Sequence, residues 1–158
     1  MRVLFVEDDD NKRNSVIAYL SSVFKDDISI SIGMSIASGV QLAIDEKFDV
    51  IILDMTIPNF DKTDGKDGGQ SFKNGGEFII RELIDEGVLF KCLILTQYET
   101  FNNETIDQIS ERIKTKCGVN YLGYVKYNKL YLQLIISQYF ISNKSGIWSL
   151  SLIVHSKG

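Results

Sequence analysis

Along this chain, short runs of consecutive apolar residues alternate with stretches in which apolar residues recur every three or four positions. Residues 3–6, 50–53 and 92–95 are apolar without interruption, as expected of strands buried on both faces. A fifth strand is expected over 121–125. Ile28, Ile30 and Ile32 alternate with Ser29 and Ser31, the pattern of a half-exposed strand at a sheet edge. Between these runs the spacing is helical. Residues 11–24 place Val16, Ile17, Leu20, Val23 and Phe24 on one side. Ile36, Ala37, Val40, Ala43 and Ile44 form a second amphipathic face, with Ser35 in position to cap it. Phe78, Ile79, Leu83 and Ile84 make a third, Ile106, Ile109 and Ile113 a fourth, and residues 129–141 a fifth. Five strand–helix units in series predict an α/β domain built on a doubly wound, five-stranded parallel sheet, with helices on both faces. Such sheets place their functional residues at the carboxyl ends of the strands.

The domain is expected to span 1–141. A polar, glycine-rich insertion covers about 61–74, and residues 142–158 form a tail with no assigned role. The bulk properties narrow the function. Lys and Arg number 17 against 21 Asp and Glu, a net charge of −4. This is not the basic footprint of a nucleic-acid binder, so no direct nucleic-acid contact is expected. No apolar run reaches the ~18 residues of a membrane span, and the N-terminus shows no leader pattern. Cys92 and Cys117 form no CxxC motif, and the single histidine is His155. Reduced thiols and a cytoplasmic location are the expectation, and a single histidine argues against histidine-based metal or acid–base chemistry.

The chemistry gathers where the strands stop. Glu7 and Asp8 follow the first run, Asp54 the third, Thr96 the fourth and Lys126 the fifth. A parallel sheet brings such positions to one rim. Clustered carboxylates repel one another and call for a cation, and oxygen donors favour a hard ion such as Mg²⁺. A lysine can pair with a phosphoryl oxygen as a point charge, and a threonine hydroxyl can donate a hydrogen bond to another. The set reads as phosphoryl transfer onto a carboxylate. Asp9 and Asp10 read instead as helix-start residues.

In this order and spacing the motifs resemble those of response-regulator receiver domains of two-component signalling. VLFVED (3–8) is similar to the family's first strand and acidic pair, and VIILDMTIP (50–58), with the chain's only proline, to its phospho-acceptor strand. LILT (93–96) and GYVK (123–126) are similar to its fourth and fifth strands. The resemblance implies a flavodoxin-like fold with strand order 2-1-3-4-5. It implies Asp54 as phospho-acceptor and Mg²⁺ held by Glu7, Asp8, Asp54 and the Met55 backbone carbonyl. Thr96 and Lys126 would contact the phosphoryl group, and Tyr124 would switch rotamer with Thr96. The implied donor is a histidine kinase or phosphotransfer protein, and the output a downstream protein target. A homodimer through the fourth helix, fifth strand and fifth helix is a further expectation. The protein would be a stand-alone switch rather than an enzyme acting on separate substrates, apart from its own phosphorylation and dephosphorylation.

Four features depart from the family pattern. The loop after Asp54 is long, Gln97 follows Thr96, and no proline follows Lys126. The lysine stands two residues after Tyr124 rather than three, which leaves Lys129 as its rival. The alternatives are a degenerate, unphosphorylated receiver serving as a constitutive interaction module, and a phosphatase of the haloacid-dehalogenase type. The latter needs a second acid two residues after the nucleophile, where this chain has Thr56.

Overall fold

The apolar runs form the strands expected of them. In the computed structural model, which describes residues 1–62 and 68–128, β1 is Arg2–Val6, β2 Ser29–Gly33, β3 Val50–Leu53, β4 Cys92–Thr96 and β5 Tyr121–Lys126. All pairings are parallel and the order is β2-β1-β3-β4-β5, the predicted doubly wound sheet. Strand β2 lies at an edge, which explains its alternation of isoleucine and serine. The buried strands β1, β3 and β4 are apolar on both faces because helices cover both.

Period-2 alternation divides the core in two. Leu4, Val6, Ile51, Leu53 and Ile94 face α2 (Ile36–Asp45), α3 (Gly75–Asp85) and α4 (Ile106–Cys117). Val3, Phe5, Val50, Ile52 and Leu95 face α1 (Asp10–Phe24), meeting Val16, Leu20 and Phe24. Each such fully buried aliphatic side chain contributes about 1.5–3 kcal/mol.

The helix starts follow local chemistry. The Asp9 side chain caps α1 by accepting from the Lys12 backbone N–H at 2.8 Å, and Asp10 opens the helix. Ser35 caps α2 in a reciprocal box with Ser38. Replacing Ser35 with alanine is expected to cost about 1 kcal/mol, read as a lower thermal midpoint with an unchanged far-UV spectrum.

Two small antiparallel ribbons were not expected. Ile57–Pro58 pairs with Ser71–Phe72, and Thr100–Phe101 with Glu104–Thr105. The first closes the base of the insertion, whose start is tied down where Ser38 Oγ donates to Asp61 Oδ1 at 2.7 Å. No helix among the described residues is long and apolar enough to cross a membrane. The helix expected over 129–141 and the tail 142–158 lie outside the described residues, as does the centre of the insertion.

Candidate functional site

The parallel ladder runs one residue past the strands. Glu7 N–H donates to the Gly33 carbonyl at 2.9 Å, and Asp54 N–H to the Val6 carbonyl at 3.0 Å. Because Val6 pairs with Leu53 in register, Glu7 and Asp54 stand side by side at the carboxyl rim. Their sequence parity puts them on the face of Phe5 and Ile52, toward α1. Both are buried, Glu7 1% and Asp54 6% exposed.

Two carboxylates in such a place need a counter-charge, and Lys12 supplies it. Its stem is buried in the first turn of α1. Its Nζ lies 2.6 Å from Asp54 Oδ1 and 2.7 Å from Glu7 Oε2. It donates hydrogen bonds to Asp54 Oδ1 and, at 2.9 Å, to the Leu95 carbonyl. Glu7 Oε2 is in ion-pair contact without an aligned hydrogen bond, while Oε1 accepts from Asp9 N–H at 3.1 Å. Asp54 Oδ2 accepts from Thr56 N–H at 2.9 Å. Burial pushes the Glu7 carboxyl up to about 7; the Lys12 ammonium pulls against this and the Asp54 carboxylate adds to it.

The other expected residues are placed as follows. Asp8 is partly exposed, and its Oδ2 lies 3.5 Å from Lys62 Nζ, at the start of the insertion. Thr96 is fully buried at the end of β4, its hydroxyl accepting from Tyr98 N–H at 3.2 Å. Gln97 is exposed. The Tyr124 hydroxyl donates to Asp107 Oδ1 at 2.5 Å, which ties β5 to α4.

Lys126, expected to reach the phosphoryl group, instead pairs through Nζ with Glu99 at 2.6 Å and is half exposed. The reason is parity. Two residues apart on a strand, Tyr124 and Lys126 share a face. Val125 and Tyr127 look the other way, into the α1-side core. A bulge in β5, where Cys92 pairs with Tyr121 but Ile94 with Tyr124, passes through Gly123 at φ +105° and sets this phase. Lys129 lies outside the described residues.

The lysine at Asp54 is therefore Lys12, which the sequence reading did not single out. One signal could have found it: Lys12, Val16, Leu20 and Phe24 are the buried positions of α1, each four residues after the last, and Lys12 is the only charged member of that stripe.

Oxygen donors suited to a magnesium ion are present in kind, as the Asp8 and Asp54 carboxylates and the Met55 carbonyl. The Met55 carbonyl already accepts from Gly75 N–H at 2.7 Å. Lys12 stands between Glu7 and Asp54, and no cluster of three acidic, histidine or cysteine side chains among the described residues could hold a metal. Chemically the donors fit a hard cation on the Asp8 side of Asp54, with Glu7 committed to Lys12.

No family model matches the chain. The uncharacterized protein y4jR of Sinorhizobium fredii is 35% identical over 103 residues, 64% of this chain and 67% of that protein. The Detocs response regulatory protein DtcB of Enterobacter cloacae is 30% identical over 87 residues. That alignment covers 52% of this chain and 58% of DtcB, so it spans a little over half of that relative. Among solved structures, the response regulator domain of Thermotoga maritima CheB superposes with a TM-score of 0.62 at 15% identity, over 92% of this chain and 94% of that one. The chain belongs to one family with the y4jR protein and has the fold of response-regulator receiver domains.

Proposed function

We propose that the protein is a phosphorylation-dependent signalling switch in which Asp54 accepts a phosphoryl group. The observation that carries the reading is the setting of Asp54. It ends the central strand, almost wholly buried, with Oδ1 held by Lys12 and Oδ2 by the Thr56 amide. A carboxylate fixed at both oxygens is oriented for attack. In the reaction, an Asp54 oxygen forms a bond to phosphorus as the donor's bond to phosphorus breaks. The electron pair departs with the donor, a histidine imidazole or, in a test tube, acetate.

Asp8, Asp54 and the Met55 carbonyl would hold Mg²⁺, which supplies charge neutralisation for the phosphoryl oxygens. Thr96, buried at the neighbouring strand end, would supply the hydroxyl that senses the new charge. The Tyr124–Asp107 hydrogen bond is the link through which α4 and β5 would respond. The receiver fold and the similarity to DtcB support a response-regulator role. On this reading the donor is a histidine kinase or phosphotransfer protein in the cytoplasm, and the target is a protein that recognises the α4–β5 surface, the same surface through which two copies of the chain would pair.

One observation favours the constitutive binding module: Lys12 already satisfies the buried carboxylates without any added ion. Incubation with acetyl phosphate and millimolar Mg²⁺, read by intact mass, separates the two. The switch predicts a gain of one phosphoryl group in the wild type and none in Asp54→Asn, with both proteins giving native NMR spectra. A folded wild type that gains nothing would establish the module instead.

A further inference from the structure

We propose that Lys12, on α1, is the lysine that meets the phosphoryl group at Asp54, in place of a lysine at the end of β5. The inference rests on the reading of Asp54 as phospho-acceptor and assigns the cation of that same site.

Three independent observations carry it. First, the Lys12 ammonium already touches the nucleophile, 2.6 Å from Asp54 Oδ1. It is 2% exposed, so its charge acts in a medium that screens little. Second, strand parity turns Lys126 away from Asp54. Lys126 is on the Tyr124 face and spends its charge on Glu99. The position on the α1 side at that strand end belongs to Tyr127, and Lys12 Nζ lies 5.7 Å from the centroid of the Tyr127 ring. The chain thus carries an aromatic where a lysine three residues after Tyr124 would stand, and fills the space above it with an ammonium from α1. Third, one N–H of the ammonium is not fixed by an aligned hydrogen bond. It has three N–H groups, and two are used, on Asp54 and the Leu95 carbonyl. Glu7 Oε2 is beside it at 2.7 Å but unaligned. A phosphoryl oxygen arriving on Asp54 would compete with Glu7 for the third N–H.

The consequence is a change of route. A lysine on β5 would report phosphorylation along that strand; Lys12 reports it to the first turn of α1, which Asp9 caps. During transfer Lys12 keeps its proton. An Asp54 oxygen forms the O–P bond, the donor's bond to phosphorus breaks, and its electron pair leaves with acetate when acetyl phosphate is the donor.

The test compares wild type, Lys12→Met and Lys126→Met for the rate of phosphoryl gain from acetyl phosphate at saturating Mg²⁺, by intact mass. Lys12→Met is expected to slow the gain by about 100-fold, the loss typical of one charge-stabilising donor, and Lys126→Met to stay close to wild type. Because Lys12→Met strips two buried carboxylates of their cation, a second measurement uses the wild type alone. With lysine side chains labelled with ¹⁵N, beryllofluoride and Mg²⁺ are added and the ammonium signals followed. The Lys12 signal is expected to shift and the Lys126 signal to stay, a response that a purely structural lysine would not give. Phosphorylation of Lys12→Met at the wild-type rate, or movement of Lys126 instead of Lys12, would overturn the assignment while leaving Asp54 as acceptor. A wild type that takes neither phosphoryl group nor beryllofluoride removes the acceptor reading itself, and this inference with it.

Discussion

Lys12→Met is expected to lower folding stability by about 3–5 kcal/mol, the loss found when one partner of a buried ion pair is removed. It would be read as a lower urea midpoint at unchanged slope. The magnitude follows from burial. Lys12, Glu7 and Asp54 are 2%, 1% and 6% exposed, and among the described residues neither carboxylate side chain has another cation in contact. With the ammonium gone, two negative charges face each other in the interior. One of them must take up a proton, and Glu7, already pushed up to about 7 by burial, is the group that does so most readily. A double-mutant cycle checks the cause. Asp54→Asn removes one of the facing charges, so it should cost less, or even stabilise, in the Lys12→Met background compared with the wild type. Residues in direct contact are where such non-additivity is expected. A loss from Lys12→Met below about 1 kcal/mol, the range of exposed pairs, would mean that the ammonium is not buried in solution.

The fold was legible because its determinants are local. Three apolar runs ending in Glu7, Asp54 and Thr96 specify buried strands and their common rim. The isoleucine–serine alternation of 28–32 marks an edge, and Ser35 before a helical stripe marks a cap; each matches the structure. The site was legible only as far as the strand ends reach. Lys12 escaped because polar residues in the first turn of a helix are ordinarily solvated, and only its phase with Val16, Leu20 and Phe24 reveals that it points inward. Lys126 was misplaced because a strand end was taken as sufficient, whereas side-chain phase decides which face a residue reaches. That phase depends on the bulge at Gly123. The ribbon pairing Ile57–Pro58 with Ser71–Phe72 was hidden for a different reason: two-residue strands separated by a polar insertion carry no periodicity to read.

The glycine pair that opens α3 carries the other large effect. A Cβ at Gly76 would sit 2.4 Å from the Asp54 carbonyl oxygen and 3.3 Å from Met55 Sδ. The first contact is with backbone, and backbone at this point cannot yield cheaply. It is fixed by the Asp54 N–H bond to Val6 on one side and by the Gly75 N–H bond to the Met55 carbonyl on the other. Gly76→Ala is therefore expected to cost about 3 kcal/mol, the upper part of the range for overpacking a filled interior. Gly39→Ala makes the comparison. There the added methyl meets the two Val6 γ-methyls at 3.0 Å and Ile79 Cδ1 at 3.3 Å, side-chain contacts that need give by only a few tenths of an ångström. The helix propensity gained, about 1 kcal/mol over glycine, offsets part of the crowding, so Gly39→Ala should cost well under Gly76→Ala. Function should separate the two variants further. To relieve the Gly76 clash, either α3 moves away or the chain at 54–56 shifts, and the second response displaces Asp54 from Lys12 and the Thr56 amide. A misplacement of about 1 Å at a reacting group can cost roughly 100-fold in rate, so phosphoryl gain from acetyl phosphate should collapse in Gly76→Ala and persist in Gly39→Ala. Equal stability and equal phosphorylation of the two would show that the close approach of α3 to Asp54 is not a constraint on the site.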